Sequence, residues 1–146
     1  MKKVFYNNKI AKAILMKGYS IITLFAWVLC KHPKSEVEQW MVNHECVHAR
    51  QWTELAIASG LLIWITVLLG ASQWLFLLCS VTFYVLYALE FIVRFAIALF
   101  SDNKGETVWM AAYFNVSFEQ EARKAELDNN YLENSHYFAW HKHLKR

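Results

Sequence analysis

Residues 55–100 are apolar almost throughout, and the one polar break in their first half is Gly70-Ala71-Ser72-Gln73. The break divides the stretch into residues 55–69 and 74–100, and two apolar segments joined by a short glycine-containing turn predict a helical hairpin. A bilayer span needs roughly 20 apolar residues. A helix counted from Trp74 therefore returns to its starting face near Arg94 and leaves Phe95 to Phe100 as an apolar overhang. The first segment is short for a span, so it is expected to thin the bilayer or draw the residues before it into the interface. The turn carries no charge while both flanks carry Lys and Arg, which by the positive-inside rule puts both termini in the cytoplasm.

Composition agrees with a membrane setting. The 146 residues are 57% hydrophobic and 18% charged, too apolar for a disordered chain and of a length suited to one compact domain. Four Gly and one Pro leave no room for a phosphate-cradling loop. The three widely spaced cysteines, Cys30, Cys46 and Cys79, support neither a disulfide framework nor a zinc ribbon, and read as reduced, buried thiols. The net charge is only +3, but Lys2, Lys3, Lys9, Lys12, Lys17, Lys31 and Lys34 all precede the first carboxylate, Glu36. With no nucleic-acid module in the chain, this basic quarter is expected to face anionic lipid, and no nucleic-acid partner is expected.

Residues 19–30 form another apolar run, too short to span and followed by no cleavage site. The β-branched and aromatic content of Ile21-Ile22-Thr23-Leu24-Phe25 predicts a buried strand with residues 9–16 as its partner, a small N-terminal β-hairpin.

Between these regions stands His44-Glu45-Cys46-Val47-His48, an HExxH motif. Ser35 is a plausible N-cap, Glu36 and Glu38 suit a first turn, and no Pro or Gly intervenes before Gly60, so the motif is placed on a helix. On a helix, His44 and His48 project from one face one turn apart, as two imidazole ligands of Zn²⁺ require, and Glu45 lies beside them to deprotonate a zinc-bound water. Cys46 turns away from His44 and reads as packing. HExxH arises by chance in roughly 1 to 2% of chains of this composition, so a third ligand is needed. Ser117 reads as an N-cap with Gln120 completing a capping box, which puts Glu119 in the first turn of a new helix, with Glu121 as its rival.

HExxH followed by a helix bearing Glu resembles the gluzincin metallopeptidases. Phe118-Glu119-Gln120-Glu121-Ala122 is similar to the zinc-ligand helix of integral-membrane gluzincins, although Arg123 stands where that family often has Asp. The order of HExxH through Gln51, Tyr87-x-x-Glu90-Phe91-x-x-Arg94 and Ser117 to Ala122 also resembles a group of small bacterial membrane proteins. The resemblance implies a mainly α, membrane-embedded, minimal gluzincin-like fold in the bacterial inner membrane, with Zn²⁺ held by His44, His48 and Glu119.

The expected organisation is one domain, 1–146. It comprises a basic N-terminal region with strands (1–34), the HExxH helix (35–54), the transmembrane hairpin (55–100), and the Glu helix with a C-terminal aromatic helix (101–146). A hairpin that enters and leaves the bilayer returns Glu119 to the face that holds the two histidines. Glu90 and Arg94, spaced i,i+4 in an apolar helix, read equally as a structural ion pair or as groups that orient a ligand imidazole. Glu121 is the further candidate for that outer role, or for an ion pair with Lys124 or Arg123. Tyr113, Tyr131, His136 and His141 are candidate oxyanion donors, a role that gluzincins give to a Tyr or His. The functional expectation is a zinc metallopeptidase acting on a peptide or membrane-protein substrate near the cytoplasmic interface. The alternative is a non-catalytic membrane scaffold with a structural zinc site.

Overall fold

A computed structural model of the chain describes residues 3–101 and 106–144. Lys2, counted in the basic N-terminal set, lies outside the described residues. The fold is mainly helical, with a small three-stranded sheet, and the chain divides into two compact units.

The first unit comprises Met1–Thr53 and Glu121–Tyr137. Strand β1 (Val4–Phe5) leads to helix α1 (Lys9–Ile14), then β2 (Ile21–Leu24) and β3 (Trp27–Cys30). β3 is central, antiparallel to β2 with Thr23 opposite Val28, and parallel to β1 with Val4 opposite Val28. Two expectations change here. Residues 9–14 are not a strand but α1, because alanine and lysine favour a helix and the Asn8 side chain caps it by accepting the N–H groups of Ile10 and Ala11. Residues 19–30 are not one strand either: they fold back at Phe25-Ala26, where Phe25 takes a left-handed φ of 57° and closes a two-residue hairpin turn.

Val28 and Cys30 from β3 pack on Val42 and Cys46 of helix α2 (Gln39–Leu68), and Val47 on the opposite side packs on Ala122 and Ala125 of helix α5 (Ser117–Leu127). Burial, helped by the charge of Glu45 and then by Cys46, pushes the Cys30 thiol up to about 11. Ser35 is not the helix N-cap. It lies in a 3-10 turn (Lys34–Glu36) ended by Val37 in an extended conformation, and α2 starts two residues after Val37, at Gln39, with the Val42 N–H bonded to the Glu38 carbonyl. The helix expected to end at residue 54 runs unbroken for 30 residues, so HExxH and the first apolar segment share one helix.

The second unit comprises Glu54–Gln120 and Phe138–Arg146. Gly70, at a φ of 98°, turns the chain after α2 in a conformation that side chains other than glycine's resist. Ser72 caps a 3-10 turn (Gln73–Phe76) that runs into α3 (Leu77–Leu99). Gly60 of α2 faces Cys79 of α3, and a methyl group there would make an ordinary van der Waals contact with the sulfur, at 3.7 Å. Helix α4 (Val108–Phe114), capped by Thr107, packs on α3 through Ala98, Ala111 and Ala112, whose small side chains allow close approach. Phe118 is buried against Phe83, Tyr87 and Trp140. The aromatic helix expected near the C-terminus is broken into α6 (Tyr131–Asn134) and a 3-10 turn (Ala139–His143), because Ser135 is extended and Phe138 adopts a left-handed φ of 57°.

Two helical segments, Gln39–Leu68 and Gln73–Leu99, are long and apolar enough to cross a membrane, with mean hydropathies of 1.4 and 2.1. Only 17% and 6% of their most apolar windows are buried within the protein. A soluble core helix hides most of its surface, whereas Leu62, Ile65, Leu68, Val85, Leu89 and Ile92 are exposed.

Candidate metal centre

α2 sets His44 and His48 one turn apart, with their Nε2 atoms 3.1 Å from each other and their rings edge-to-face. Their other nitrogens face outwards. His44 Nδ1 lies 2.7 Å from the Glu126 carboxylate, and His48 Nδ1 lies 2.8 Å from Gln51 Oε1. Gln51 Nε2 donates to the Glu121 carboxylate at 2.9 Å, which fixes the amide orientation and leaves only an oxygen to meet His48. Because a carboxylate and an amide oxygen both accept, both Nδ1 atoms carry the protons, and both Nε2 atoms present lone pairs. Two lone pairs facing at 3.1 Å repel unless a shared proton or a metal ion joins them.

Glu119 in the first turn of α5 is buried, and Tyr87 donates its hydroxyl to Glu119 Oε1 at 2.8 Å. The ligand atoms that His44, His48 and Glu119 offer all lie within 4.8 Å of one another. Two imidazole nitrogens and one carboxylate oxygen form a donor set that can hold a metal ion. Among the described residues this is the group with such geometry.

Glu121 is engaged elsewhere. It is fully buried and pairs with Arg50 at 2.6 Å, in place of the expected Lys124 or Arg123, while Gln51 links it to His48. Glu126, one heptad beyond Glu119, supplies the carboxylate on His44 that Arg123 cannot.

Glu90 accepts both the Ser117 N–H, at 2.8 Å, and the Ser117 hydroxyl, at 2.6 Å. The expected capping box gives way to a cap supplied from α3, and the Gln120 side chain meets His143 Nδ1 instead. Arg94 pairs with Glu90 at 3.3 Å and donates to the His143 and Leu144 carbonyls. Glu90 is therefore both an ion-pair partner and a brace for the helix start two residues before Glu119.

Glu45 Oε2 accepts from the Thr23 hydroxyl at 2.7 Å, and the same hydroxyl lies 2.8 Å from the Glu45 carbonyl. Cys46 lies in the sheet-facing core. Of the oxyanion candidates, Tyr131 directs its hydroxyl at Glu121, 3.4 Å away, with its ring under the Arg50 guanidinium, and burial followed by the Glu121 charge pushes its phenol up to about 12. Tyr113 sits beside Phe114 on α4, His136 is exposed after α6, and His141 donates its Nδ1–H to the Phe138 carbonyl.

Sequence reasoning assigned no role to Thr23, Gln51, Tyr87 or Glu126. Helical spacing offered a signal for Gln51, three residues after His48, and for Glu126, seven after Glu119. No protein-family model, curated protein or solved structure matches the chain.

Proposed function

We propose that the chain is a zinc-dependent, gluzincin-type integral-membrane metallopeptidase, with both termini cytoplasmic in a bacterial inner membrane and Glu45 as the catalytic base. The observation that carries the reading is the facing pair of Nε2 atoms, each histidine hydrogen-bonded through its other nitrogen, with the ligand atoms of His44, His48 and Glu119 within 4.8 Å of one another. His44, His48 and Glu119 would hold the ion. Zinc, when bound by three protein ligands, supplies Lewis acidity and leaves a coordination position open.

The chain's own groups do the rest. Glu45 would take the proton of the attacking water and pass it to the leaving amine. Thr23 holds that carboxylate from β2, and the strand order β1-β3-β2 leaves β2 at an edge where an extended peptide can add as a further strand. Substrate backbone and catalytic base would thus be served by the same strand.

Zinc titration of chelator-treated protein tests the reading, combined with cleavage assays on membrane-reconstituted peptide substrates. One zinc per chain, lost in His44→Ala, is expected, with hydrolysis that disappears in Glu45→Gln. Failure to bind zinc would overturn the reading. Tight zinc binding with no open coordination position would replace it with a structural zinc site in a scaffold protein.

A further inference from the structure

Helix α1 buries Ala11 completely and lies over β3, where Leu29 is buried. The flank of α1 next to Ala11 carries Ile10 and Ile14, one turn apart and 52% and 56% exposed. The loop that follows adds Met16 and Tyr19, exposed by 75% and 65%. Trp27 shares its face of the sheet with Leu29 by strand alternation, and it meets Phe5 edge-to-face, both rings about half exposed. A run of large apolar side chains presented together on one outer layer marks an interaction surface.

Charge identifies the kind of partner. Lys17 is exposed between Met16 and Tyr19 in the loop, Lys9 and Lys12 are exposed on the other flank of α1, from which their long stems can reach round, and no carboxylate occurs before Glu36. The loop is held in place: the Lys31 ammonium donates to the Leu15 carbonyl at 3.2 Å and lies 3.5 Å from that of Met16.

The geometry points to α1 and residues 14–19 as an in-plane docking surface for an anionic lipid leaflet. Ile10, Ile14, Met16 and Tyr19 enter the boundary between headgroups and acyl chains, and Lys9, Lys12 and Lys17 pair with lipid phosphates. A nucleic acid matches the lysines but leaves the aliphatic side chains in water; a bilayer satisfies both. This contact is separate from the metal centre, and it rests on the membrane reading of the two apolar helices, which supplies the bilayer.

The test uses full-length protein with Cys30, Cys46 and Cys79 replaced by Ala and an environment-sensitive fluorophore at Met16→Cys, reconstituted in phosphatidylglycerol-rich or phosphatidylcholine bilayers. Should the triple replacement unfold the protein, Cys79→Ala alone serves, since Cys30 and Cys46 are buried. A label at Leu62→Cys, in the exposed apolar part of α2, is the membrane control. The expected result is quenching of the residue-16 label by brominated lipid in the anionic bilayer. The docked population should fall by about fivefold for each lysine removed in the series Lys9→Gln, Lys12→Gln and Lys17→Gln. Access of aqueous iodide to residue 16 in both bilayers, with residue 62 still quenched by lipid, would overturn the docking surface alone. Loss of lipid quenching at residue 62 would overturn the membrane reading and this inference with it. Shielding of residue 16 from both quenchers would identify a protein occupant, and would equally overturn the lipid assignment.

Discussion

Gln51 accepts the Nδ1–H of His48 at 2.8 Å while its own amide N–H is anchored on Glu121 at 2.9 Å. The glutamine can present only its oxygen to the ring, so it selects the tautomer whose Nε2 is free of a proton. Gln51→Leu keeps the side-chain volume but removes both hydrogen bonds. We expect zinc affinity to drop by about 10 to 100-fold, as is usual when the hydrogen-bond partner of a ligating histidine is lost. Competition with a calibrated chelator measures it, and an unchanged affinity would show that packing alone orients His48.

Glu119 and Glu121 separate into different roles. Glu119→Ala should abolish tight zinc binding while leaving α5 folded. Glu121→Ala should act on stability first, since it leaves the Arg50 guanidinium, only 12% exposed, without its carboxylate partner. Breaking such a buried pair costs about 3–5 kcal/mol. Replacing both partners, as Arg50→Met with Glu121→Leu, should recover much of that loss without recovering the Gln51 anchor. Thermal unfolding and zinc titration on the same three variants distinguish the roles; a Glu121→Ala variant of normal stability with no zinc binding would move the ligand to Glu121.

The helical hairpin was legible because a long apolar run is a composition signal that needs no partner to be read. HExxH was legible for a similar reason, since its spacing is internal to one helix. The outer partners were harder: Thr23 reaches Glu45 across 22 residues of sequence and Glu126 reaches His44 across 82, and no local pattern announces such pairings. Ser117 misled because Ser-x-x-Gln is a sound local cap, yet Glu90 offers a charged acceptor for both its N–H and its hydroxyl. α1 was missed because six residues give too little periodicity to set against the apolar run that follows.

Cys30 provides a pH signature. Its thiol is pushed from 9.0 up to about 11, chiefly by burial. A raised thiol pKa means that the folded state keeps the proton longer than the unfolded chain does. The associated stability is fully present below pH 9 and is lost as pH rises from 9 towards 11. Tyr131, pushed from 10.0 up to about 12, adds a loss of the same sign at still higher pH. Alkylation at pH 8 followed by mass spectrometry should leave Cys30 unmodified in the folded protein and label it after denaturation. Labelling of native Cys30 at that pH would contradict the buried, protonated thiol.

The proposed topology is tested at the uncharged turn, residues 69–72. Ser72→Cys in a cysteine-free background should react with a membrane-impermeant maleimide added from the periplasmic side and stay silent from the cytoplasmic side, while a cysteine at Lys34 behaves oppositely. Reaction of residue 72 from the cytoplasmic side alone would invert or abolish the proposed hairpin.

The Thr23–Glu45 contact yields the last prediction. Glu45→Gln preserves size and hydrogen-bonding capacity but cannot accept the proton of the attacking water, so it should retain zinc and lose hydrolysis by at least about 100-fold, the usual contribution of a positioned general base. Thr23→Val removes the hydroxyl that holds the carboxylate but leaves β2 and its pairing with β3 intact, because the strand bonds through its backbone. It should lower kcat with little change in KM or in zinc affinity, and Thr23→Ser should restore most of the rate. A rise in KM alone would assign Thr23 to substrate pairing along the strand edge. An effect on zinc affinity would mean instead that the hydroxyl supports the whole HExxH turn through the Glu45 carbonyl, the other atom it reaches, at 2.8 Å.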